Sequence, residues 1–138
     1  MAIPEIIEVK YFNKKKEEAV KACAKQLDDE LIRLFNLFNR EELIEQIIFT
    51  QYSPHFADGD LPVFSVHVEE PCYKLFDDIE KYYSWETHGE NPKIDKILDN
   101  FVNEVIEIPD EVFFEAYGNH IEVIVSKDKV ETDFCEHD

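Results

Sequence analysis

The chain has 138 residues, of which 44% are hydrophobic and 13% aromatic, enough to bury the core of one domain and unlike a disordered acidic tail. Its 32 Asp and Glu against 14 Lys and Arg leave a net charge of −18, which repels nucleic acid and anionic membranes and argues against direct DNA or RNA binding. No apolar run approaches the ~18 residues of a membrane span, the amino terminus lacks a signal-peptide layout, and Cys23, Cys72 and Cys135 are too few and too scattered for a disulfide framework, so a cytoplasmic protein is expected.

From Lys14 to about Phe38 the apolar residues Val20, Cys23, Ala24, Leu27, Leu31, Leu34, Phe35 and Phe38 recur at helical spacing, which predicts one long amphipathic helix. Asn13 is placed to cap it and Asn39-Arg40 to end it. Lys14, Lys15 and Lys16 stand at its positive end, where the helix dipole disfavours cations. Leu43 to Tyr52, rich in β-branched and aromatic residues, predicts a strand. Asp58-Gly59-Asp60 marks a hairpin turn, and Pro62 to Glu69 returns as the second strand with Phe64, Val66 and Val68 on one face. The connection is long enough to expect a bulge or a wide loop.

Tyr73 to Ile79 reads as a short helix, and Thr87 to Asn91 as a loop. Pro92 then suits a first helical turn, with Ile94, Ile97, Leu98, Phe101, Val102 and Val105 forming an apolar stripe to about Ile106. Pro109 opens a short helix through Phe113 and Phe114 to Tyr117, stopped by Gly118. His120 to Val125 and Val130 to Cys135 read as strands around a turn at Ser126 to Lys129. The expected fold is a single α+β domain spanning 1–138, with an antiparallel sheet of about four strands in two hairpins and the helices packed on one face.

Motifs narrow the chemistry mainly by exclusion. Gly59, Gly89 and Gly118 are isolated, so no Walker loop or dinucleotide fingerprint can be written. Asp58 and Asp60 are too few for a calcium loop, and no Cys or His pair has zinc spacing, so neither a metal nor another cofactor is expected. No Gly-x-Ser-x-Gly elbow appears, and among 32 acids a carboxylate pair carries no information.

The charge is uneven. Residues 1–68 hold 12 acids and 8 bases, whereas residues 69–138 hold 20 acids and 6 bases. Within the second half, Asp95, Asp99, Glu104, Glu107, Asp110, Glu111 and Glu115 are the candidates for an anionic ridge. A sphere of this chain length spans roughly 37 Å, and duplex DNA of that length carries about 22 charges, a number close to this net charge. The expected function is a non-enzymatic module that presents an acidic face to a basic partner, in its sharpest form an imitation of nucleic acid. Tyr82, Tyr83 and Trp85 are candidate contact aromatics. The alternative is a small-molecule binder or hydrolase with a pocket around His55, Asp58 and His67, and a third reading is assembly through an exposed strand edge.

Gln51-Tyr52-Ser53-Pro54-His55-Phe56-Ala57-Asp58-Gly59-Asp60, continuing to Phe64-Ser65-Val66, resembles a Gln-Tyr-Thr-Pro-Tyr-Phe-Asn-Asp-Gly-Asp…Phe-Ser-Val signature of uncharacterised bacterial and phage proteins. It departs from that signature at Ser53, His55 and Ala57. The resemblance implies a shared hairpin and transfers no catalytic residue. A composition rich in Lys, Ile, Asn and Phe also suits a phage or an AT-rich bacterium, a setting in which the basic partner would be a host or defence protein.

Overall fold

The structure, a computed structural model, describes residues 21–53, 64–77, 79–84, 86 and 88–135. The expected cap at Asn13, the lysines at 14–16, the Asp58-Gly59-Asp60 turn, His55 and Trp85 lie outside the described residues.

Helix α1 is described from residue 21 to residue 38 and turns Leu27, Leu31, Leu34 and Phe35 inward, the stripe that its spacing demands. Asn39, itself buried, closes the helix end: its Oδ1 accepts from the N–H groups of Leu43 and Ile44, and its Nδ2 donates to the Ile44 carbonyl at 2.8 Å. One side chain thereby satisfies three backbone groups of the turn into β1 (Gln46–Tyr52).

Strand β1 pairs with β2 (Ser65–Lys74) on one side and β4 (Ile121–Ser126) on the other. A three-residue strand β3 (Glu80–Tyr82) borders β2, and β5 (Val130–Phe134) borders β4. The sheet is antiparallel throughout, in the order β3-β2-β1-β4-β5.

The α+β fold and the helical face are as the sequence implies, with two corrections. Among the described residues the sheet has five strands, and none of those between 73 and 79 is helical: Tyr73 and Lys74 complete β2, and Phe76 and Asp77 turn before β3. Propensity favoured a turn of helix there, but pairing of Cys72, Tyr73 and Lys74 with both β1 and β3 holds them extended.

Helix α2 (Pro92–Val105) starts at an Asn91 cap with Pro92 in its first turn, and α3 (Asp110–Tyr117) follows Pro109 and stops at Gly118. The helices lie against the sheet face that carries Ile47, Phe49, Val123 and Val125, with Phe35, Phe101 and Phe113 fully buried between the layers. Each such phenyl ring contributes roughly 1.5–3 kcal/mol by leaving water. Helix α1 is tied to α3 at its own level, where the Tyr117 hydroxyl donates to Asp28 Oδ1 and Cys23 Sγ lies 3.8 Å from the Val112 carbonyl.

The β1–β2 ladder contains the feature that shapes the surface. Ile48 pairs with Cys72 but Thr50 pairs with His67, so Val68–Pro71 stand opposite Phe49 alone. In this bulge Val68 and Pro71 turn inward while Glu69 and Glu70 are pushed into solvent. Pro71 is accommodated because a bulged position owes the ladder no N–H, and its carbonyl accepts from Tyr83 N at 3.0 Å.

Candidate functional site

A concavity of about 860 Å³ wraps around the bulge. Its helix-side wall is Val105, Ile106, Ile108, Asp110 and Phe113, and its sheet-side wall reaches Ile48, Thr50, Tyr52, Cys72, Glu80, Glu122 and Cys135. Five carboxylates line it, those of Glu69, Glu70, Glu80, Asp110 and Glu122, and none of its described lining residues is Lys or Arg. They come from β2, β3, α3 and β4, four places far apart in sequence. Alternation along β4 places Glu122 and Ile124 on the face opposite the helices, because Val123 and Val125 face the core.

The thiols register the negative surroundings. Burial raises the Cys72 pKa first, and a hydrogen bond to Glu80 with the charges of Glu80 and Glu122 push it further, to about 12. Burial also raises that of Cys135, followed by the charges of Glu122 and Asp133. Neither group is a poised nucleophile at neutral pH.

On the rim, His67 stacks on Tyr52 with ring centroids 4.2 Å apart, and its Nε2 lies 3.2 Å from Ser65 Oγ. A smaller concavity shares Glu69 and Glu70 and adds Tyr83, Ser84, His88 and Asp99. There the Tyr83 hydroxyl donates to Asp99 Oδ1, while Asp99 Oδ2 lies 3.2 Å from His88 Nε2. Glu69 and Glu70 therefore join Asp99 on one side to Asp110 on the other.

The ridge expected from sequence is divided by the geometry of α2. Asp95 is buried, its Oδ2 accepting from Gly89 N at 2.5 Å, so it braces the loop before α2. Glu104, nine residues on, is turned roughly 180° around the helix and lies in the field of Arg33 on α1. Glu107, Asp110, Glu111 and Glu115 are exposed, but of the seven only Asp110 lines the large concavity and only Asp99 the small one.

Of the aromatic candidates, Tyr82 is 70% exposed on β3, whereas Tyr83 packs against the core. His67 lines the concavity, while His55 and Asp58, the other two residues of the pocket reading, lie outside the described residues. Glu69, Glu70, Glu80 and Glu122 were not singled out by sequence; Glu122 carried a signal, since it lies in the stretch between Lys96 and Lys127 that holds no Lys or Arg.

Lys74 stands directly opposite Glu80 in the β2–β3 ladder, but no described Lys or Arg lines the concavity itself. Arg40, Lys93 and Lys96 line a groove between α1 and α2, and Lys93 pairs with Glu41 at 3.3 Å. Lys127 pairs with Glu42 at 2.5 Å and Lys81 with Asp77 at 2.9 Å. Among the described residues no cluster of three His, Cys, Asp or Glu is arranged to hold a metal ion, and no helix is long and apolar enough to cross a membrane.

Comparison with family models, curated proteins and solved structures yields no match. The concavity itself carries the functional argument.

Proposed function

We propose that this protein is a non-enzymatic interaction module that receives a basic segment of a partner protein in the acid-lined concavity around the β2 bulge. The supporting observation is that Glu69, Glu70, Glu80, Asp110 and Glu122 line one hollow, from both sides of the β2 edge, without a Lys or Arg in its described lining. Apolar side chains including Ile48, Val66 and Ile106 line the same hollow, so a segment that combines lysine or arginine with one apolar anchor fits its chemistry. Imitation of nucleic acid is the sharper form of this reading, since a basic groove built for phosphates meets carboxylates here instead.

The test is affinity capture from host lysate at low and high salt. The bait is the wild-type chain or a variant with Glu69, Glu70, Glu80 and Glu122 changed to Gln. The partner is expected on the wild type at low salt, to be released as the ~10 Å screening length of 0.1 M salt shortens, and to be missing from the variant. A partner held equally by both chains at both salts would refute the proposal.

The Ser65–His67 contact favours a second reading, a hydrolase, because a serine hydroxyl beside an imidazole is the minimum for nucleophilic attack. Covalent labelling of Ser65 by a fluorophosphonate, lost in His67→Ala, would support that reading. An unlabelled Ser65 would dismiss it.

A further inference from the structure

The outer edge of β5 has a definite hydrogen-bonding phase. Ser126 N donates to the Lys129 carbonyl at 2.9 Å and Cys135 N to the His120 carbonyl at 2.8 Å. Alternation between these points directs the backbone of Glu131 and Asp133 toward β4 and that of Val130, Thr132 and Phe134 outward. Phe134 N accordingly bonds to the Asp133 side chain rather than to β4. Among the described residues no strand pairs with this edge, and Phe134 is 69% exposed beside it.

The side chains select what can join. Glu122 and Asp133 are direct cross-strand partners on the face opposite the helices, a like-charge pair that costs stability. Glu131 is answered by Lys129 at 2.6 Å on its own strand, whereas no described ion pair answers Glu122 or Asp133. A second copy pairing antiparallel about Thr132 would set its Glu131 against Asp133, adding repulsion. Self-assembly in this register is therefore disfavoured, and a cationic strand is favoured.

We infer that the β5 edge is a docking edge for an extended segment of a basic partner, which adds as a sixth strand and places a lysine or arginine beside Asp133 and Glu122 and an apolar residue beside Phe134. Backbone hydrogen bonds to Val130, Thr132 and the Phe134 carbonyl would hold the strand, and the cation would relieve the Glu122–Asp133 repulsion; the Phe134 N–H stays with Asp133. The inference rests on the reading of the protein as a binder of basic partners, and it adds the conformation in which the partner is held.

The probe is a short fluorescent peptide alternating lysine with valine, titrated by anisotropy against the full chain. Thr132→Pro removes an outward N–H and leaves the β4 ladder intact, so its circular dichroism should match wild type while the dissociation constant rises about tenfold. The same peptide N-methylated at alternate amides should lose affinity similarly on the wild-type chain, which keeps the test valid should Thr132→Pro not fold. A peptide with glutamate in place of lysine should not bind.

Equal binding of the methylated and unmethylated peptides would overturn strand addition. So would no binding at all, or a dimer of the chain dissolved by Thr132→Pro. Loss of binding on Glu80→Gln and Glu122→Gln with no response to methylation would leave the acidic concavity standing and remove only the strand.

Discussion

The side-chain amide of Gln51 donates to the carbonyl of Gly118 at 2.7 Å and to that of Phe113 at 3.0 Å, so a buried residue of the central strand holds the last turn and stop of α3. The sheet and α3 are thereby locked in one register, and α3 contributes Asp110 and Phe113 to the concavity. Gln51→Leu preserves approximate size but strands two carbonyls in the interior. Each unsatisfied group costs about 1–3 kcal/mol, and removal of Gln51 Oε1, buried without a partner among the described residues, offsets one of them, so the net cost should be about 1–3 kcal/mol. Urea denaturation of the two chains checks this, and a change under 1 kcal/mol would show that the bonds are not formed.

Gly118 supplies the other half of that contact. Its φ of +91° with ψ of −167° lies in a region that only glycine occupies readily, although a Cβ there would meet no atom within 4 Å. Gly118→Ala should therefore cost about 1–3 kcal/mol through backbone strain alone. The expected signature is a lowered melting temperature, shared by Gly118→Asn because the tolerance of asparagine for positive φ is confined to the left-handed helical region, far from this ψ.

Thiol chemistry reports the field of the concavity. With its pKa near 12, Cys72 is almost wholly protonated at pH 7, and an anionic disulfide reagent is additionally repelled by Glu80 and Glu122. Glu80→Gln removes both a hydrogen bond to the thiol and a charge beside it, and the reaction should accelerate about tenfold for each pKa unit regained. Stopped-flow rates for the native chain and the variant, with anionic and cationic reagents compared, decide the matter. Equal rates for the two reagents would mean that the acids do not act on the site.

Asp28 gives a pH dependence of known sign. Burial raises its pKa above the usual 3.8, and the Tyr117 hydrogen bond only partly offsets this. Below pH 3.8 the carboxyl is protonated in both folded and unfolded chains and costs nothing. As pH climbs through the raised folded value, the unfolded chain ionises more readily and native stability falls. Asp28→Asn, which retains an acceptor for Tyr117, should therefore gain stability over wild type at pH 7 and lose that advantage toward pH 4. Thermal melts across this range test the slope.

The elements read along the chain depended on local repeats, and those are where sequence reading succeeded. Leu27, Leu31, Leu34 and Phe35 announce a helix, Pro92 and the stripe from Ile94 to Val105 announce another, and Pro109 and Gly118 bracket the third. The shortfalls have one cause. Pro71 in the middle of β2 reads as a breaker until the bulge that absorbs it is known, and three residues of β3 are too few to show a period.

Composition and periodicity by themselves determined the charge, the α+β class, the absence of glycine-rich phosphate loops and the inward face of each helix. Tertiary structure alone decided that β1 pairs with β4 as well as β2, that Asp95 is withdrawn from the surface, and that Glu69, Glu70, Glu80, Asp110 and Glu122 line one concavity. A side-chain period is written in neighbouring residues, whereas strand order and the phase change at a bulge are set by which distant surfaces bury one another. The shared concavity of these carboxylates depends on that second, long-range level.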